Sequence, residues 1–258
     1  MTTTPRWRQL VSLLVASALV LVSCGDDGTT AAAEAEEPEV TTTVAATVDV
    51  AATVDEFLTS IPEGWLSIKA AEDVVAARDT GNALLIDVRE TSEYDEGHIP
   101  GAVNIPIREL TKHLDAIPTD QQVVVYCKSG YRAAMATAAL QTLGYDNVKA
   151  FGGSYKAWTA AEQEVSTEAV ALPTGVVPDF EPELLAAVED FLLVIPEGYQ
   201  TVGPVEKMEA AMDAGAFLVD VREPGEYAEG RIPGAVNMPL RTLMAGVEDI
   251  PDDVQVVV

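Results

Sequence analysis

The feature that most restricts this chain is a long internal repeat. Residues 54–65 return as residues 188–199, and residues 87–106 return as residues 220–239 with 15 of 20 positions identical. The offset is 134 residues in the first match and 133 in the second. A period of this length exceeds that of a solenoid and means duplicated domains. Residues 157–206 carry ten acids and no Lys or Arg, and the centre of that stretch holds Pro173, Pro178 and Pro182. Proline fixes φ and removes a backbone donor, so a linker is predicted over 166–187 between copies at 54–165 and 188–258.

Within the first copy, apolar runs alternate with helical spacing. Short strands are predicted at 66–69, 102–105 and 148–151, and buried strands at 83–88 and 122–126. Helices are predicted at 70–79, 107–114, 132–143 and 154–164. Continuous apolar strands separated by helices specify an α/β fold with a mainly parallel sheet covered on both faces. Ligands in such sheets bind at the carboxyl ends of the strands. Gln255–Val258 aligns with Gln122–Val125, so the given chain ends two positions before a counterpart of Cys127. The second copy is therefore expected to be truncated and inactive, with an open strand edge.

Charge excludes some functions. With 15 Lys+Arg against 42 Asp+Glu the formal charge is −27, which repels nucleic acid and anionic lipid. Two Cys and two His leave no material for a disulfide scaffold or a metal cluster, and no spacing implies an organic cofactor. At the N-terminus, Arg6 and Arg8 precede an apolar run of 13 residues, Leu10 to Val22, which is short for a membrane span. The run ends in Leu21-Val22-Ser23-Cys24, which resembles the bacterial lipobox. That resemblance implies removal of residues 1–23, lipidation of Cys24, and an extracytoplasmic chain held to a bacterial membrane. Residues 24–53 contain acids and no base, and are expected to be a disordered tether.

The chemistry is expected at Cys127. The strand 122–126 runs into Cys127-Lys128-Ser129-Gly130-Tyr131-Arg132 and then a helix. Amides of such a loop converge on one point, the helix dipole adds positive potential, and a cysteine there ionises readily. Lys128 and Arg132 would add charge, Gly130 lets the backbone turn, and Lys128, Ser129, Gly130, Tyr131 and Arg132 are the candidate substrate-binding residues. Asp87 and Arg89 read as an ion pair bracing the loop. His98 faces Arg231 across the repeat, so its position asks for a polar or cationic side chain.

Asp87-Val88-Arg89, Glu93-Tyr94, the stretch from Gly97 to Ala102, the Cys127–Arg132 loop, and Gly152-Gly153 with Trp158 occur in the order found in rhodanese domains, which residues 54–165 resemble. The resemblance implies a sulfurtransferase in which Cys127 takes the outer sulfur of a thiosulfate- or persulfide-type donor. The Cys127 persulfide would then pass that sulfur to a thiol or cyanide. Four residues separate Cys127 from Arg132. Related phosphatases and arsenate reductases use a longer loop, which fits a tetrahedral oxyanion, so the shorter one resembles the sulfur-handling class. A non-catalytic binding or sensing module is the other reading of this fold. With Cys24 lipidated, Cys127 is the sole free thiol of the chain, and any persulfide must go to an external acceptor.

Overall fold

A computed structural model describes residues 48–61, 68–195 and 205–258. The signal segment, Cys24, Trp65 and the first two residues of the short strand expected at 66–69 lie outside the described residues; Ile68 of that strand forms a parallel bridge with Phe151.

Helix α1 (Val50–Ser60) is opened by Asp49, whose side chain accepts from the Ala52 amide at 3.1 Å. Residues 50–53, assigned above to the tether, are thus the first turn of a helix. There follow α2 (Ala71–Asp79), β1 (Ala83–Asp87), α3 (Thr91–Asp95) and β2 (Val103–Asn104). Next come β3 (Gln122–Tyr126), α4 (Tyr131–Thr142), β4 (Val148–Ala150) and α5 (Ser154–Ala160). The strands form a parallel sheet in the order β2-β1-β3-β4. Strands β1 and β3 are buried and mostly apolar because helices cover both faces, with Asp87 the charged exception at the end of β1.

One buried cluster joins Ile86, Val103, Val125 and Leu140, while Leu85, Val124, Phe151 and Trp158 fill the opposite face. Residues 107–114, expected as an α-helix, belong to a 3-10 segment, Ile107–Ala116, with non-helical backbone at His113. Its buried Ile107, Leu110 and Leu114 suit either helix type, and short connectors adopt the tighter one readily.

The second half repeats this plan. It contains α6 (Pro182–Leu193), α7 (Val205–Asp213), β5 (Phe217–Asp220), α8 (Pro224–Glu229), β6 (Val236–Asn237), a 3-10 segment Leu240–Asp249, and β7 (Val256–Val257). The sheet order is β6-β5-β7. Its register is that of the first sheet shifted by the repeat: Leu84↔Val123 and Ile86↔Val103 become Phe217↔Val256 and Val219↔Val236.

Helix α6 begins at Pro182, inside the stretch expected to be linker. Proline is favoured at the first helical position, where its missing N–H has no partner to lose. Leu184, Val188 and Leu192 of α6 are buried in the core of the first half, and α6 packs on the 3-10 segment Ile107–Ala116. Helix α1, the repeat partner of α6, packs on the 3-10 segment of the second half. Arg108 donates to the carbonyl of Ile195 at 2.6 Å, and its counterpart Arg241 donates to the carbonyl of Ile61. Each leading helix thus packs on the 3-10 segment of the other half, and α1 also touches α4 of its own half.

Candidate active site

Cys127 stands at the carboxyl end of β3, where the chain leaves the sheet for α4. Its residue is 1% exposed, and one side of it belongs to the aliphatic core. The other side is polar: the Gly130 amide donates to Cys127 Sγ at 3.2 Å. Two carbonyls of the loop are engaged on its outer side. Tyr155 N–H donates to the Cys127 carbonyl at 2.9 Å and Lys156 N–H to the Lys128 carbonyl at 3.0 Å. The start of α5 therefore holds the loop from outside.

Gly130 sits at φ +101, and a Cβ there would lie 2.5 Å from the Gly152 carbonyl oxygen. Glycine alone permits both that backbone and that approach. The first amides of α4, like those of any helix, have no intrahelical partner, and Gly130 supplies no side chain to cap them.

Ser154, which the sequence places at a helix start, also meets the cysteine. It is fully buried, has φ +51, and its hydroxyl accepts from the Cys127 amide at 3.2 Å while donating to the Phe151 carbonyl at 2.8 Å. Its oxygen lies 3.8 Å from Cys127 Sγ. A left-handed serine costs on the order of 1–3 kcal/mol and persists where neighbouring contacts over-determine it.

Arg132, expected to add positive charge to the loop, is paired with a carboxylate. Its Nη1 and Nη2 donate to both carboxylate oxygens of Glu93, at 2.7 and 3.1 Å. Burial works against the Glu93 charge, but the Arg132 hydrogen bonds and charge, with the Glu90 amide and Arg89, outweigh it and hold the carboxyl below its ordinary range. Burial likewise opposes the Arg132 charge, and Glu93, helped by the nearby Cys127, raises its pKa. Glu93 also completes the capping box of α3 with Glu90. Lys128 and Ser129 are exposed beside the sulfur, and Tyr131 is 60% exposed.

The bracing residues lie one strand away. Arg89 grips both Asp87 oxygens and the Gly97 carbonyl, with its guanidinium 4.2 Å over the Tyr155 ring. Through Tyr155 this pair reaches the segment that holds the loop. His98 is fully buried, with Nδ1 2.9 Å from the Tyr94 carbonyl and Nε2 3.0 Å from that of Glu168. Those contacts tie the segment after α5 to the domain, and none of them reaches Cys127. Among the described residues no group of His, Cys, Asp and Glu is arranged to hold a metal ion, and Cys127 is the one free cysteine. No helix among them is long and apolar enough to cross a membrane.

With this geometry in view, the comparisons with known proteins are specific. The model of the rhodanese-like domain matches residues 70–161 and 204–258, together more than half of the chain, and the chain belongs to that family. A sulfurtransferase of Allochromatium vinosum is 39% identical over 80 residues, 31% of this chain and 75% of the relative. Human thiosulfate:glutathione sulfurtransferase is 34% identical over 97 residues, 32% of this chain and 84% of the relative. The 3-mercaptopyruvate sulfurtransferase of Escherichia coli K12 is 29% identical over 180 residues, covering 61% of this chain and 62% of that enzyme. Several other relatives are matched over less than two thirds of their own length.

Proposed function

We propose that the chain is a sulfurtransferase that carries sulfane sulfur on Cys127. The observation that carries this reading is the Gly130 amide donating to Cys127 Sγ at the start of α4. The Cys127 thiolate attacks the outer sulfur of the donor. A new Cys127 S–S bond forms, the donor's S–S bond breaks, and its electron pair leaves with sulfite or a thiolate. Gly130 N–H and the unpartnered amides of α4 stabilise negative charge on the terminal sulfur. An external thiol or cyanide then attacks that sulfur, and Cys127 departs as thiolate.

The test is intact mass. Incubation with a sulfane-sulfur donor should add one sulfur to the chain, cyanide should remove it as thiocyanate, and Cys127→Ser should take up none. A folded chain that gains no sulfur is instead a binding module.

The same proposal holds the chain to be two copies of one domain, which the two family matches and the conserved strand register support. It also includes export and lipidation at Cys24, supported by the apolar run and the residues before that cysteine. Loss of lipid labelling and release from membranes in Cys24→Ala would bear this out. Unchanged membrane attachment of that variant would refute it.

A further inference from the structure

What kind of donor the site accepts depends on the charges around the sulfur. Both arginines near the loop are committed to carboxylates: Arg132 to Glu93 through two hydrogen bonds, and Arg89 to Asp87. Each pair sums to zero. What remains positive near the sulfur is the helix dipole, about half a unit charge, together with the exposed Lys128 and the exposed Lys156, whose amide holds the loop. Glu90 lies close by as well and contributes to the field at Arg132. The chain as a whole carries −27. A dianion meets roughly twice the repulsion that a monoanion does in such a field, and it has no guanidinium fork free to receive its oxygens.

We infer that Glu93 is a specificity-determining residue: by occupying Arg132 it sets the loop's charge so that the site takes sulfur from a monoanionic persulfide in preference to dianionic thiosulfate. This rests on the sulfur-transfer reading. The persulfide route balances as R–S–S⁻ plus Cys127 thiolate giving Cys127–S–S⁻ and R–S⁻, with two negative charges in the site before and after the transfer. The thiosulfate route gives the Cys127 persulfide anion and sulfite, with three negative charges in the site before and after the transfer. Removing the Glu93 charge would expose a cation where that crowding occurs.

Glu93→Gln is the informative variant. Glutamine retains an oxygen for the Glu90 amide, so the capping box of α3 can persist. With the full chain, sulfur loading is followed by mass using cysteine persulfide and thiosulfate as the probes. Wild type should load faster from cysteine persulfide. Glu93→Gln should raise kcat/KM for thiosulfate about tenfold, with a smaller change for cysteine persulfide. The gain should shrink as ionic strength rises and vanish in the Glu93→Gln, Arg132→Gln double variant. Arg132→Lys, which keeps the charge but loses the two-point grip, should also shift preference toward thiosulfate.

Glu93 acting merely as a structural prop would lower loading from both donors in equal proportion. That result, a wild type that prefers thiosulfate, or a gain that survives the loss of Arg132, would overturn the inference while leaving sulfur transfer intact. A wild type that loads from neither donor would overturn both.

Discussion

Asp87–Arg89 in the first half and Asp220–Arg222 in the second are built alike and housed differently. In both, the guanidinium takes both carboxylate oxygens and reaches on to a glycine carbonyl, Gly97 or Gly230. In both, an asparagine, Asn104 or Asn237, clasps the two flanking carbonyls at 2.9–3.0 Å. Yet the side chains of Arg89 and Asp87 are 4% and 0% exposed, against 44% and 12% for Arg222 and Asp220. Phe151, Tyr155 and Trp158 pack against or beside the first sheet. The matching face of the second lines an open cleft of about 690 Å³ with Leu218, Ile232 and Val257. Local geometry is thus written in the repeat itself, and its energetic weight comes from what covers it.

The largest test of that contrast is to break each pair. Arg89→Met should cost about 3–5 kcal/mol, because Asp87 is left charged in a dry site. Thermal unfolding would register it as a fall of many degrees. Arg222→Met, where water can solvate Asp220, should barely move the transition. Comparable losses at both positions would show that the second pair is buried in solution.

Glycines sharpen the comparison next. Gly130→Ala meets the Gly152 carbonyl as well as a forbidden φ, and should slow sulfur loading by about ten- to a hundredfold. Gly101 and Gly234 are repeat partners with φ +82 and +85 and open space around them. Alanine at either should cost about 1 kcal/mol, and equally in denaturant melts. Ser154→Ala leaves the buried Cys127 amide without its acceptor. It should lose about 1–3 kcal/mol by the same melts and slow loading.

The smallest effect is with pH. Glu93 in the unfolded chain titrates near 4.5, and Arg132 holds the folded value lower. The stabilisation from this pair is therefore complete above that range and is lost as pH falls through the folded value. Amide exchange at the α3 and α4 termini should quicken only on that acid side, and not in Glu93→Gln.

Much of this was readable before any coordinates. Apolar β1 and β3, and a cysteine between strand and helix, follow from composition and period, so the sheet and the place of Cys127 were legible. Glu93 was visible only as part of a motif, because its partner is 39 residues away and no period links them. Ser154 was hidden for another reason: nothing in a Gly-Gly-Ser stretch says that the serine, not a glycine, takes the left-handed backbone. The destinations of α1 and α6 were the deepest gap. Their kinship was plain from the repeat, but which half each helix packs on depends on chain crossing, which apolar spacing does not encode.

That crossing has a mechanical meaning. Each half clasps an arm belonging to the other, at Arg108 with Ile195 and at Arg241 with Ile61. The peptide thread between them is consequently not what keeps them joined. A protease nick between Val170 and Asp179 would yield two pieces that still travel as one particle, separable only when both grips let go together.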